Sequence, residues 1–218
     1  MKNLLITLLL TFCVNHFVCA QQGIAEIGRI TTGFLYTNSD GEEMDILFPV
    51  HSFSYSAGYR RQVGNIFFAN GSLVFNRYGQ EGSDTKYQNI YEWDAYYLGL
   101  NLAMDIEFFQ KSRFSLMALA AAEPQILLGG TQRVNSEIRK LNGVEQFDNP
   151  FLFLKGGLGI NYCLDNRIAV TGRYRYGVGL PLGKSEDGEN LKLTSSTISI
   201  GLMVSFGYYN YCQKKHFD

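Results

Sequence analysis

Residues Thr197 to Tyr208 read TISIGLMVSFGY and show the clearest alternation in the sequence. The even-numbered positions are large and apolar, whereas most of the odd-numbered positions are small or polar. Because successive side chains of a β-strand point to opposite faces, this alternation predicts one apolar face and one polar face. The same period of two recurs in seven earlier segments, so the sequence predicts an all-β protein.

The eight segments predict eight strands that form a single domain over residues 21–218. In the first strand, Ile30, Phe34 and Tyr36 are assigned to the apolar face. Pro124 follows the fifth strand and lacks an N–H donor, so it is expected to end or bulge that strand. The strands are expected at about residues 24–37, 52–61, 66–78, 93–108, 113–123, 151–164, 167–180 and 193–208.

The connections between the predicted strands alternate strictly in length. An antiparallel barrel that crosses a membrane has short turns on one side and longer loops on the other. The sequence therefore predicts an eight-stranded antiparallel transmembrane β-barrel with short periplasmic turns and four longer extracellular loops. In the third long loop, residues 136–141 are a candidate short helix. The long connections are 38–50, 79–91, 125–150 and 181–190, and the short ones are 62–65, 109–112 and 165–166.

The first 20 residues have the pattern of a secretory signal peptide, with Lys2 before an apolar core and small residues up to Ala20. The whole chain has 19 Lys and Arg against 20 Asp and Glu, so removal of Lys2 leaves 18 against 20, a net charge of −2. This balance argues against a nucleic-acid partner. The remaining chain keeps Cys163 and Cys212, expected near the same end, where a disulfide and two free thiols are both open alternatives.

A period of two does not say which face points outward. A soluble lipocalin-like barrel has an apolar lumen, and a membrane barrel has an apolar exterior. The membrane barrel is favoured because the polar face carries Gly, Ser, Thr and Asn more than Lys and Glu, and because the apolar positions persist over the roughly 9–11 residues of a spanning strand. A ring of interfacial aromatic residues is expected at the short-turn end. Its members are Tyr59, Phe67, Phe108, Phe114, Tyr162, Phe206 and Tyr208.

Eight strands enclose a lumen that side chains just fill, so an open pore is not expected. Charged groups in such a narrow space must pair with one another. Arg173 and Arg175 are expected to meet Glu123 or another lumen carboxylate. The predicted structural network comprises Arg60, Asp105, Glu107, Glu123, Lys155, Arg173 and Arg175, with Asn70, Asn101 and Asn161 beside it.

The pattern, and above all the closing strand from Thr197 to Phe206, resembles the small outer-membrane β-barrel proteins. These include the OmpA-type transmembrane domain and the porin-family group of outer membrane protein beta-barrel domains. The resemblance implies a location in the outer membrane, with lipid and lipopolysaccharide around the barrel. It also implies that the barrel assembly machinery reads a terminal aromatic residue, here Phe206, although this chain continues to Asp218.

Functions vary widely among barrels of this kind, so the fold does not name one. A structural or surface-interaction role through the long loops is expected, with an unknown envelope or surface protein as partner, and with no catalysis, cofactor or metal. The alternatives are an enzyme of lipid A acyl chemistry and a narrow channel or secretion accessory. His51, Ser52 and Ser54 at the outer rim are residue types that suit the enzyme, but no carboxylate is placed to orient the imidazole.

Overall fold

The structure, a computed structural model, consists of eight long strands and one short one. It describes residues 22–37, 47–84, 89–142, 147, 149–183, 190–206 and 211–212, so the predicted signal at residues 1–20 lies outside the described residues. None of the described residues belongs to a helix long and apolar enough to cross a membrane. The strands are β1 Gln22–Thr37, β2 Leu47–Gln62, β3 Phe67–Asp84, β4 Asn89–Lys111, β5 Phe114–Val134, β6 Glu137–Lys140, β7 Phe151–Cys163, β8 Ile168–Pro181 and β9 Asn190–Ser205.

The eight long strands form one closed antiparallel barrel. Each pairs with its neighbour in the order β4-β3-β2-β1-β9-β8-β7-β5, and the pairing of β4 with β5 closes the ring. The first strand therefore lies beside the last, with Gln22 opposite Ser205. Strand β6 pairs with β5 at one end of the barrel. We call the end with the short turns the inner end and the end with the long connections the outer end.

Several strands run past their predicted ends at the outer end. Strand β5 passes through Pro124 and continues to Val134, whereas the sequence placed its end at Glu123. The pairing of β4 with β5 skips Glu123 and Pro124 and resumes in the same register at Gly99 and Gln125. A separate register shift lies farther out, between Tyr96 and Tyr97. Residues 137–140 of the candidate helix form the edge strand β6 instead. Pairing with β4 and β6 thus outweighs the missing donor of one proline.

The sequence assigned the wrong face to Ile30 in β1. Ile30 is fully buried inside the barrel, together with Ile24 and Glu26, whereas Ile27 is exposed on the outside. The register explains this, because Ile27 lies opposite the outward-facing Ile200 of β9, and opposite residues share a face. Both faces of β1 carry isoleucine, so its alternation does not distinguish them. The side chains of Phe34 and Tyr36 lie outside the described residues.

Glycines on the inward face make room for large lumen side chains. A Cβ atom at Gly177 would lie 2.5 Å from Cγ of Lys155, and one at Gly179 would lie 2.6 Å from the ring of Phe153. Both distances are well inside van der Waals contact. The inward glycines are therefore what allows an eight-stranded barrel to hold lysine and aromatic side chains.

Candidate functional site

The centre of the lumen is built around the carboxylate of Asp105 on β4. Oδ2 of Asp105 lies 2.9 Å from Nε of Arg60 on β2 and 3.3 Å from Nη2 of Arg173 on β8. The side chains of Asp105 and Arg60 are 0% exposed. One carboxylate thus bridges two buried guanidinium groups, and the three side chains come from three different strands. Arg60 also donates to Oε1 of Gln22 over 2.9 Å, and its guanidinium lies 3.7 Å from the centre of the Phe68 ring.

Glu26 on β1 completes this arrangement. Its Oε1 lies 3.0 Å from Nε of Arg173, and its Oε2 accepts a hydrogen bond from Nη2 of Arg175. The two arginines expected to meet Glu123 or another lumen carboxylate therefore meet Glu26, and Arg173 also meets Asp105. The sequence missed Glu26 because Ile30, on the same face of β1, was taken to point outward. Opposite-residue pairing between β1 and the clearly alternating β9 is the signal that could have found it.

A second group of polar side chains surrounds Glu123 on β5, nearer the outer end. Nζ of Lys155 on β7 lies 2.8 Å from Oε2 of Glu123. Oε1 of Glu123 accepts hydrogen bonds from Nδ2 of Asn76 over 2.8 Å and from Nε2 of Gln125 over 2.6 Å. The hydroxyl of Tyr78 in turn donates to Gln125 Oε1. A buried charge with several partners is held in one geometry. Glu123 therefore fixes the orientation of the polar side chains around it, which fill this part of the lumen.

The C-terminal segment returns to the inner end of the lumen. The hydroxyl of Tyr211 donates to Oε2 of Glu107 and lies 2.9 Å from Oγ of Ser115. It also accepts a hydrogen bond from Nδ2 of Asn161 over 2.9 Å. A disulfide joins the next residue, Cys212, to Cys163 at the end of β7. Of the two alternatives left open for these cysteines, the structure shows the disulfide.

Apolar side chains close the lumen at both ends of the ionic network. At the outer end they form a buried cluster, which we call the outer cluster, and Trp93 and Leu127 pack against it. At the inner end a smaller buried group, the inner cluster, contains Phe68, Cys163, Ala169, Met203, Tyr211 and Cys212. The sequence predicted neither, because large apolar residues were expected on the outside. The outer cluster consists of Ile30, Tyr78, Ala95, Tyr97, Leu141, Phe147, Phe151, Phe153 and Leu193.

Charge within the described lumen balances. Its cations are Arg60, Lys155, Arg173 and Arg175, and its carboxylates are Glu26, Asp105, Glu107 and Glu123. Four positive groups against four negative ones leave no net charge to attract an ion of either sign. Together with the two apolar clusters, this arrangement fills and closes the interior. No group of three or more His, Cys, Asp or Glu side chains within the described ranges could hold a metal ion.

The outside of the barrel is apolar, and aromatic side chains gather at its inner end. Phe206 directly follows β9 and is exposed there, near Gly23 of β1. Tyr208 lies outside the described residues. Recognition of Phe206 by the assembly machinery stays a prediction. The other members of the predicted ring are also exposed or half-buried, and each lies near the inner end of its strand. They are Tyr59, Phe67, Phe108, Phe114 and Tyr162.

His51 at the outer rim does not assemble a catalytic triad with its neighbours in the sequence. Its Nδ1 lies 2.8 Å from Oγ1 of Thr31 on the outside of the barrel. Ser52 is buried on the inside, and the hydroxyl of Ser54 donates to Oδ1 of Asn76. The imidazole and the two serines that follow it in sequence thus point to different regions. The His51–Thr31 pair has the spacing of a base and a hydroxyl nucleophile, but it lacks an orienting carboxylate among the described residues.

Comparison with solved structures finds barrels from bacterial outer membranes. Neisserial surface protein A (NspA) is 17% identical, with 84% of this chain and 97% of that chain covered and a TM-score of 0.48. OprG from Pseudomonas aeruginosa is 13% identical, with 86% and 96% covered and a TM-score of 0.46. Ail, the attachment invasion locus protein of Yersinia pestis, is 14% identical, with 84% and 99% covered and a TM-score of 0.43.

A search of the curated proteins finds no match. Residues 4–206, which are most of the sequence, match the family model of the outer membrane protein beta-barrel domain. That family, the closed eight-stranded barrel and its apolar exterior agree on one location, the outer membrane, where the barrel lies among lipid and lipopolysaccharide. The chain belongs to the outer membrane protein beta-barrel domain family.

Proposed function

We propose that this barrel is a non-catalytic anchor that presents a protein-binding surface outside the cell. The proposal follows from two strands that are longer than the membrane requires. Strand β4 has 23 residues and β5 has 21, whereas a tilted strand needs roughly 9–11 to cross the membrane. About half of each strand is therefore available beyond the bilayer at the outer end. We call residues 77–84, 89–95 and 128–140, from strands β3 to β6, the outer sheet extension.

The outer sheet extension has the character of a contact surface. Ile90 and Ile138 lie on it and are 62% and 63% exposed. Exposed charged pairs lie around them, including Arg133 with Glu92 and Arg139 with Glu137. Apolar side chains among paired charges are typical of a surface that binds another protein. The proposed partner is an envelope or surface protein with an apolar contact area.

The closed lumen supports an anchor over a channel. An ion that entered would have to displace the outer cluster, then compete with paired charges, and then displace the inner cluster. Each step exposes buried apolar or ionic groups and is costly.

The geometry around His51 supports the absence of catalysis. The imidazole has a threonine partner on the outside, and the adjacent serines face inward. The His51→Ala variant is expected to leave the mass of lipid A in the producing cells unchanged, as measured by mass spectrometry. A shift in the lipid A mass that depends on His51 would replace this proposal with the acyl-chemistry alternative.

A photo-crosslinking amino acid placed in the outer sheet extension tests the anchor proposal. At Ile138 or Ile90 it is expected to give a discrete protein adduct in intact cells, because both side chains are exposed beyond the bilayer. The matched control is Leu158, which is 61% exposed but lies among the outward-facing residues of the membrane-spanning part of the barrel. Deletion of the β5–β6 hairpin tip should remove the adduct at Ile90. Equal labelling at Ile138 and Leu158, or an adduct that survives the deletion, would contradict the proposal.

A further inference from the structure

One sector of the outward surface turns polar closer to the inner end than the rest of the barrel does. On β4, the outward residues from Phe108 to Leu98 are all apolar. On β9, by contrast, the apolar run ends at Ile198 and Ser196 follows on the same face. We call this interruption of the apolar band the polar notch. Its residues are Arg29, Thr31, His51, Tyr174 and Ser196.

The strand register gathers these residues in one patch across β2, β1, β9 and β8. Thr31 lies opposite His51 on one side and opposite Ser196 on the other. Oγ1 of Thr31 lies 2.8 Å from Nδ1 of His51, and the hydroxyl of Ser196 donates to the hydroxyl of Tyr174 over 3.4 Å. Opposite residues share a face, so all of these groups point away from the lumen.

Arg29 is the deepest charge in the notch. It lies between the exposed apolar side chains of Phe53 and Ile198, and no ion pair involves it among the described residues. Six positions along β1 separate it from Gly23 at the inner end, which is about 15 Å along the membrane normal for a strand tilted by about 40°. The apolar band of such a barrel is about 25 Å tall. The backbone of Arg29 therefore lies within the outer leaflet. Its side chain is long enough to extend the guanidinium towards the headgroups.

An arginine at this depth is unfavourable unless an anion meets it. A guanidinium binds phosphate through two parallel hydrogen bonds, a geometry that lysine does not offer. Thr31 and His51 lie two residues further out along their strands and are hydrogen-bonded to each other. One hydrogen of this pair, on the hydroxyl or on the imidazole according to the tautomer, stays free to donate to a phosphate oxygen. The exposed rings of Tyr174, within the notch, and of Phe53, beside it, offer apolar contact to the lipid that carries the phosphate.

We propose that the polar notch binds a phosphate group of lipid A, the phosphorylated glycolipid of the outer leaflet. Arg29 binds the phosphate through two hydrogen bonds, and the Thr31–His51 pair contacts it from the outer side. Phe53, Tyr174 and Ile198 contact the apolar part of the same lipid molecule. This site lies on the outside wall of the barrel and does not depend on the proposed role of the outer sheet extension.

Native mass spectrometry of the full-length mature barrel, released from detergent micelles, tests this site. The probes are bis-phosphorylated lipid A, lipid A from which the phosphates have been removed, and inorganic phosphate as a competitor. The test variants are Arg29→Gln and Arg29→Lys. The matched control is Arg61→Gln, which removes an exposed arginine from the inner end of β2. Stability in lipid-free detergent is measured for each variant, because loss of a charge from the lipid-facing wall should not lower it.

The wild type is expected to retain bis-phosphorylated lipid A at least about tenfold more tightly than Arg29→Gln, with Arg29→Lys in between and Arg61→Gln equal to the wild type. Lipid A without phosphate should bind the wild type as weakly as Arg29→Gln binds the intact lipid. Equal retention by wild type and Arg29→Gln would overturn the proposal. So would undiminished binding of the dephosphorylated lipid, or displacement by inorganic phosphate at equal concentration. A less stable Arg29→Gln in lipid-free detergent would instead assign Arg29 a structural role and also overturn it.

Discussion

The Asp105→Ala variant is expected to lose about 3–5 kcal/mol of unfolding free energy, among the largest effects of any single substitution in the chain. Asp105 is the carboxylate that Arg60 and Arg173 share, and both it and Arg60 are fully buried. Its removal leaves Arg60 without its ion-pair partner in a space closed to water. Arg173 keeps Glu26, which limits the damage to one side of the network.

Urea unfolding of the refolded barrel in phospholipid vesicles measures this loss. The matched control is Asp94→Ala, which removes the carboxylate of the Arg77–Asp94 pair on the outside of the barrel. That pair has side chains 45% and 24% exposed, so its loss should cost only about 0–1 kcal/mol. If the two variants unfold at the same urea concentration, the buried pairing is not what stabilises the lumen.

The Cys212→Ser variant is expected to lose about 2–4 kcal/mol, and to free the segment that closes the inner end. The disulfide joins residues 49 positions apart, so it restricts the unfolded chain over a long loop. It also holds Tyr211 against Glu107, Ser115 and Asn161. Without the covalent link, those hydrogen bonds alone must retain the C-terminal segment.

The reduced wild type provides the internal control for this variant. Treatment with a thiol reductant in the unfolded state, followed by refolding, should bring the wild-type unfolding midpoint to that of Cys212→Ser. The same treatment should leave Cys212→Ser unchanged, since it has no disulfide to lose. A variant as stable as the oxidised wild type would show that the disulfide makes no contribution to the folded barrel.

The closed antiparallel barrel could be predicted from the sequence because most strands alternate cleanly. In β9, Ile198, Ile200 and Leu202 share one face, as their spacing indicates, and that face points outward. The alternation of long and short connections indicated antiparallel neighbours with their loops on two opposite sides. Both signals are local, so no knowledge of distant contacts was needed.

The parts that could not be predicted depend on contacts between distant strands. Ile30 and Ile27 of β1 are chemically identical and face opposite sides, so only the register with β9 assigns Glu26 to the lumen. Tyr97 and Phe153 are in step with the lumen residues Asn101 and Lys155, but neither strand alone indicates the cluster that they form with other strands. Strand β5 passes Pro124 because β4 continues beside it, which the local sequence does not indicate.

The interior of the barrel is packed with paired charges and closed at both ends. Conductance of the purified barrel in planar lipid bilayers tests this most directly, with insertion verified in the same membranes by protection of the strands from an added protease. We expect inserted protein and no discrete current steps, because the outer and inner clusters block both entrances. Reproducible single-channel steps from the wild type, with the disulfide intact, would contradict it.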